Sequence, residues 1–294
     1  MPAKEFVNNL LTRVTGHHLA KGAPGTERVE VIARNRSLRG EMRNLEGELR
    51  RVENELELAK KSPQKRAPTF GADYDGEMKQ IIRAVRGWTM TNNEKLFALI
   101  SAVRYVVRNQ IPGDIVECGV WRGGSMQAVA RTLIAAGDTS RELHLFDTFE
   151  GMPPPSESDV RWDGQHATQL LETQDENSLI WAIATLEDVQ HGFESVDYPK
   201  ERLHFVKGKV EDTVPEHVPD RISILRLDTD WYESSLHELD HMYDRLVPGG
   251  VLLLDDYGYW EGQRRATDEW LERTREPLLM FRMSTGRAAV KPWK

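Results

Sequence analysis

The chain predicts an α/β fold, an open and mostly parallel sheet of the nucleotide-binding kind preceded by a helical arm. Three features carry that expectation. IVECGVWRGGS (Ile115 to Ser125) reads as a strand, a glycine turn and a helix start, a unit that lets backbone approach a bulky ligand and leaves amide donors at a helix N-terminus. Far downstream, ILRLDTD (Ile224 to Asp230) and VLLLDDYG (Val251 to Gly258) read as buried strands ending in acids, and such sheets bind ligands at the carboxyl ends of their strands. Ahead of both lies a polar stretch with a heptad repeat.

The arm comes first in the chain. Residues 1–22 place Phe6, Val7, Leu10, Leu11 and Val14 at helical spacing among basic residues. The expectation is a short amphipathic helix docked on protein, with peripheral contact to an anionic membrane surface as the alternative. KGAPGTE (Lys21 to Glu27) breaks it. Residues 27–61 then sustain a heptad, with Asn35, Met42, Leu49 and Leu56 at a, and Leu38, Leu45, Val52 and Ala59 at d. In a parallel homodimer Arg34 would face Arg39, Glu41 would face Glu46 and Glu48 would face Glu53. These like-charge pairs favour a heterotypic helix partner, an antiparallel pairing or a higher oligomer. Residues 62–75, rich in proline, lysine and glycine, read as a linker to a domain spanning residues 76–294.

Composition bounds the function. The 294 residues carry a formal net charge of -8, which argues against broad capture of nucleic acid. Cys118 is the only cysteine, so an intramolecular disulfide and a cysteine-built zinc site are excluded, and its apolar strand makes it a core residue. No apolar run is long enough to span a bilayer, and no signal core precedes the helix. The expectation is a soluble, cytoplasmic chain.

Within the domain, NNEKLFALISAVRYVVRN predicts a helix capped at Asn92 or Asn93 and apolar on one face. The first strand, Ile115 to Cys118, ends in Gly119. Glu117, just before the turn, suits a cationic or amino-acid-like ligand better than a pyrophosphate. A second strand, Glu142 to Phe146, ends in Asp147, which follows Gly119 by 28 residues. That is about the separation at which a strand-end acid accepts both ribose hydroxyls. A third strand, Leu203 to Lys207, leads into GKVEDT, whose Gly208, Lys209, Val210, Glu211 and Asp212 are candidates for the wall beside an adenine. The fourth strand ends at Asp228 and the fifth at Asp255 and Asp256, joined by a helix (Ser234 to Leu246) and a turn at Val247-Pro248-Gly249-Gly250. Three carboxylates at adjacent strand ends repel unless a cation neutralises them. Oxygen-only ligands favour magnesium, with manganese or calcium as substitutes. The structural alternative is that the acids cap helices or pair with Arg226, Arg264 or Arg265.

GDIVECGVWRGGS, LFDTFEGMPPP and LRLDTDWYESSLHELDHMYDRLVPGGVLLLDDYGYWEGQRRATDEW together resemble the macrocin O-methyltransferase family, magnesium-dependent sugar O-methyltransferases that use S-adenosylmethionine; the likeness runs from about Trp88 to the C-terminus. The resemblance implies a class I methyltransferase sheet, Rossmann-like, of strand order 3-2-1-4-5-7-6, closing with a hairpin of Leu278 to Met283 and Arg287 to Lys291. It implies that Glu117, Gly119 and Ser125 meet the methionine part of the cofactor, that Asp147 holds the ribose, and that Asp228, Asp255 and Asp256 bind the metal. Asp228 is also the expected base, with His237 or Asp230 as substitutes. The heptad arm has no counterpart in that chemistry.

The expected function is therefore methyl transfer to a sugar or glycoconjugate hydroxyl, under an insertion (residues 151–198) that carries Trp162, His166, Trp181, His191 and Phe193 as a substrate lid. A catechol-type enzyme would share the metal logic but carry a shorter, more apolar lid. An interaction protein working through the arm is the third reading.

Overall fold

The computed structural model describes residues 70–172 and 183–293. The expected helix over 1–22, the heptad over 27–61, most of the linker and Trp181 lie outside the described residues.

The domain begins with two capped helices. In α1 (Gly76–Val85) the Asp75 carboxylate accepts from Met78 N, and in α2 (Asn93–Arg108) Asn92 accepts from Lys95 N. Each cap satisfies an otherwise orphan amide of the first turn, worth about 1 kcal/mol. From there strands and helices alternate: β1 (Asp114–Cys118), α3 (Gly124–Ala136), β2 (Leu143–Asp147), α4 (Ala167–Glu172), α5 (Leu186–Phe193), β3 (Leu203–Lys207), the single turn α6 (Val210–Thr213), β4 (Ile222–Leu227), α7 (Tyr232–Met242), β5 (Leu246–Leu254), α8 (Glu261–Thr274), β6 (Phe281–Met283) and β7 (Gly286–Val290).

The seven strands form one sheet in the order β3-β2-β1-β4-β5-β7-β6, as expected. Five are parallel, and β7 runs antiparallel between β5 and β6. Helices cover both faces, which is why β4 is buried at every position and reads as a continuous apolar run apart from Ser223 and Arg226. One core layer packs α2, α3 and α5 on the sheet through residues such as Leu99, Val103, Val129, Leu133, Val189 and Phe193. The other packs α6, α7 and α8 through Val210, Leu239, Met242 and Trp270. Each fully buried large apolar side chain contributes about 1.5–3 kcal/mol.

Two local expectations need correction. Val247-Pro248-Gly249-Gly250 belongs to β5 rather than to a free turn. There the pairing jumps from Ile222 opposite Leu246 to Ile224 opposite Val251, so the strand absorbs the residues of the expected turn as an irregularity. The insertion also divides. Its C-terminal part, with Val189, Phe193, Val196 and Tyr198, is core, whereas Gly151 to Leu171 lies over the acid-bearing strand ends. No helix among the described residues is long and apolar enough to cross a membrane.

Candidate active site

At the carboxyl edge of the sheet, a cavity of about 640 Å³ runs from the tip of β1 to the tips of β4 and β5, with Gly119, Ser125, Asp147, Gly208, Val210, Asp228, Asp230, Asp255 and Asp256 in its lining. That volume is ordinary for a small-molecule site. Most of the expected cofactor, base and metal residues therefore converge, while Glu117 and His237 do not.

The β1 end is built by backbone. Gly119 has φ +82, and a Cβ there would lie 2.1 Å from the Asp228 carbonyl oxygen. The glycine is thus demanded by the approach of β4 to β1 as much as by any ligand. Trp121 adopts φ 48 and Gly123 φ 79, turning the chain into α3, whose N-terminus has no side-chain cap. Asp147 at the end of β2 locks this turn. Its Oδ2 accepts from Val120 N at 2.6 Å and Trp121 N at 2.9 Å, and its Oδ1 from Phe149 N at 2.7 Å. Burial raises its pKa while those amides oppose the rise. Ser125 Oγ lies 3.3 Å from Thr91 Oγ1. On the far wall, Val210 is buried and lines the cavity beside Gly208, Lys209 and Glu211, whereas Asp212 does not reach it.

Glu117 is absent from the cavity wall. It is fully buried beneath the floor, where Oε1 accepts from Arg226 Nη1 at 2.5 Å and Oε2 has no partner. Burial pushes its carboxyl up to about 7 even with Arg226 alongside. Its expected contact with the cofactor is replaced by a structural one, because β1 and β4 are neighbours and place Glu117 opposite Arg226.

Arg226 is the hub of the second half. It is 3% exposed and reaches Asp228 Oδ2 at 2.9 Å, Asp255 Oδ1 at 2.6 Å and Thr91 Oγ1 at 3.0 Å. The structural alternative of arginine pairing is thus met for Arg226 and not for Arg264 or Arg265, which pair on the surface with Glu261 and Glu269. Lys95, entering from α2, completes the charge pattern with Nζ 2.6 Å from Asp255 Oδ2 and 3.6 Å from Asp256 Oδ1. Two cations still face five acids, Glu117, Asp228, Asp230, Asp255 and Asp256. Asp228, Asp255 and Asp256 each offer an oxygen within 4.8 Å of the others. Burial and the neighbouring carboxylates push Asp228 and Asp256 well above the usual range. Asp255 is the exception, since Arg226 and Lys95 outweigh its burial and hold it low.

Asp230 joins this group by way of a strained turn. It sits at φ 68, a left-handed conformation that aspartate tolerates better than most residues. Burial pushes its carboxyl up to about 7. His237 does not join. Its Nε2 lies 3.1 Å from the Val214 carbonyl and its ring packs on His241 at 4.1 Å. The rotation of α7 leaves it outside the cavity lining.

Beside the acids, Met152, Pro153, Leu170, Tyr259 and Trp260 line the cavity, and Met152, Leu170 and Tyr259 pack in one cluster around Trp260. The insertion is pinned there by Asp159, a buried acid that accepts from Tyr232 N at 2.8 Å and from Ser156 N at 2.7 Å. Trp231 Nε1 donates to Pro153 O at 3.0 Å. Of the expected lid aromatics, Trp162 is 65% exposed and outside the lining, His191 faces solvent and Phe193 is core. The aromatic wall comes instead from the turn after β5.

The macrocin O-methyltransferase (TylF) family matches residues 29–281. The chain belongs to that family. It is 35% identical over 190 residues, 63% of this chain and 70% of that protein, to the 8-demethyl-8-(2,3-dimethoxy-alpha-L-rhamnosyl)-tetracenomycin-C 4'-O-methyltransferase of Streptomyces olivaceus. Against the mycinamicin III 3''-O-methyltransferase of Micromonospora griseorubida it is 32% identical over 58% of this chain and 65% of that protein. Among solved structures, the O-methyltransferase NovP superposes with a TM-score of 0.62 at 28% identity, over 70% of this chain and 83% of that one. A macrocin O-methyltransferase family member with this sheet is an O-methyltransferase dependent on S-adenosylmethionine.

Lys95, Thr89 and Thr91 are among the cavity residues that sequence reasoning missed, as are Tyr259 and Trp260. The signal was a charged residue, Lys95, on the apolar stripe of α2 with Leu96, Leu99 and Val103. A lysine buried in such a stripe requires an acidic partner.

Proposed function

We propose that this enzyme methylates a hydroxyl of a sugar ring on a glycoside or glycoconjugate, and that a divalent cation at Asp228, Asp255 and Asp256 assists it. The observation that carries the reading is the oxygen-only cluster at the tips of β4 and β5, short of positive charge and sharing its cavity with Tyr259 and Trp260. Such donors fit a hard cation, and the names of the relatives, which methylate sugar positions on larger scaffolds, support the acceptor class.

S-Adenosylmethionine, when bound, supplies an electrophilic methyl group. The Gly119 to Ser125 turn and Asp147 would hold its amino-acid and ribose ends, with Gly208 and Val210 beside its base. A divalent cation, when bound, supplies the charge that makes an alcohol more acidic. Everything else falls to the chain. Tyr259 and Trp260 line the cavity beside the acids, where an acceptor would need its oxygen in line with the methyl group. As the carbon–oxygen bond forms and the carbon–sulfur bond breaks, the electron pair leaves with sulfur and the hydroxyl proton passes to a carboxylate.

Asp230 suits that step better than Asp228. Asp228 is tied to Arg226 and belongs to the metal-binding set, so its lone pairs are engaged. Asp230 lines the same cavity, and no basic side chain among the described residues lies within ion-pair distance of it. Asp230→Asn should lower turnover by about 10²- to 10⁴-fold and leave calorimetric binding of S-adenosylmethionine intact. An acceptor screen with labelled methyl donor, with and without chelator, tests the rest. Turnover indifferent to chelation would reject the metal, and preference for a phenolic diol would reject the sugar.

A further inference from the structure

Resting on the metal reading above, a second role emerges from α2. We propose that Lys95 is the resident counter-ion of the acid cluster, and that a divalent cation enters by displacing its ammonium group from Asp255 and Asp256.

The geometry separates the two protein cations. Arg226 rises from the middle of β4 and is fixed from several sides, by Glu117, Thr91, Asp228 and Asp255. Lys95 reaches in from the first turn of α2, and its Nζ meets Asp255 Oδ2 at 2.6 Å and Asp256 Oδ1 at 3.6 Å. Both partners belong to the metal-binding set. The two oxygens of Asp255 are thus each covered by a protein cation, Oδ1 by Arg226 and Oδ2 by Lys95. An ion lodged among the three acids would stand against the Lys95 ammonium, which already bonds Asp255 and lies close to Asp256, and the repulsion between the two favours the departure of one protein cation. Arg226 cannot leave without stranding the buried Glu117. Lys95 can, because an ammonium on a flexible four-carbon stem changes rotamer readily and its side chain already lines the cavity.

The consequence is competition at a single carboxylate edge. A dication beside an ammonium is repelled, so the metal is held more weakly than three carboxylates alone would hold it. When the site is without metal, Lys95 keeps the acids from repelling one another apart.

Manganese(II) binding to the full-length protein, followed by electron paramagnetic resonance without acceptor, tests this apart from catalysis. Lys95→Met and Lys95→Gln should each tighten manganese binding by roughly tenfold or more, since removing the competitor leaves the three acids in place. Unchanged or weaker binding in both would overturn the proposal and make Lys95 a support for Asp255. Asp256→Asn separates the two readings. If the wild-type protein binds manganese no better than Asp256→Asn, the metal site itself fails; if it binds better but Lys95→Met matches wild type, only the Lys95 inference fails. Circular dichroism serves as the folding control. Variants that stay unfolded even in excess manganese would also overturn the proposal, because the ion should replace the lost charge.

Discussion

Two strand tips of the same sheet hold acids in opposite ways. At β2, Asp147 is held by three backbone amides, from Val120, Trp121 and Phe149, at 2.6 to 2.9 Å. At β4 and β5, Asp228, Asp255 and Asp256 are held by side-chain cations, Arg226 and Lys95, that are too few for them. Amides are fixed by the fold and carry no net charge. The cofactor side is therefore organised before any ligand arrives, whereas the order of the acid side depends on the charge balance within it.

The largest effect should come from removing the hub of the charged side. Arg226→Met leaves Glu117, Asp228 and Asp255 without their common partner in a buried place, and should destabilise the protein by about 3–5 kcal/mol in urea unfolding. A loss below about 1 kcal/mol would mean that the acids relax into protonated, hydrogen-bonded pairs, and the contrast with β2 would collapse. Asp147→Ala is the matching change on the other side. It strips three amide donors of their acceptor, so stability should fall by about 1–3 kcal/mol. S-Adenosylmethionine affinity should drop with it, while the acceptor KM stays near wild type. An acceptor KM that rose as much as the cofactor Kd would show that the two sides are not independent.

The same division explains what could be read in the sequence. The glycine turn, Asp147 and the acid pairs were legible because each is a short run whose neighbours in the chain are its neighbours in space, whereas the order of the sheet was legible only through the family resemblance. Lys95 was not, since its partner Asp255 lies 160 residues away, and the helical pattern around it says only that one face is buried. Gly119 was legible for only part of its reason. Its missing side chain makes room for the Asp228 backbone, a contact between two strands that no local motif encodes. Glu117 carries the same lesson, because a strand residue points to one face or the other, and only the pairing with β4 turns it from cofactor to Arg226. His237 failed on helix rotation. Its position nine residues after Asp228 fixed the helix that carries it but not the side it faces.

Asp75 sharpens the comparison from outside the site. Like Asp147 it accepts from backbone, here Met78 N at 2.8 Å, and like Asp255 it meets a cation, Arg104, whose Nη1 lies 2.5 Å from Oδ2. It does so at the surface, where the burial that opposes ionisation is outweighed by these hydrogen bonds. The hydrogen bond from Arg104, then that from Met78, lowers its carboxyl from 3.8 to about 2. A depressed folded pKa stabilises the protein above the unfolded value and loses that contribution as pH falls through the folded one. Asp75→Ala should therefore destabilise by about 1 kcal/mol near neutral pH, the ordinary worth of a helix cap. The difference in urea midpoint between variant and wild type should narrow as pH falls from 3.8 towards 2. A difference that persisted undiminished at low pH would assign the effect to the shape of the cap rather than to its charge, and would weaken the claim that acids in this protein are stabilised wherever amides and cations meet them without burial.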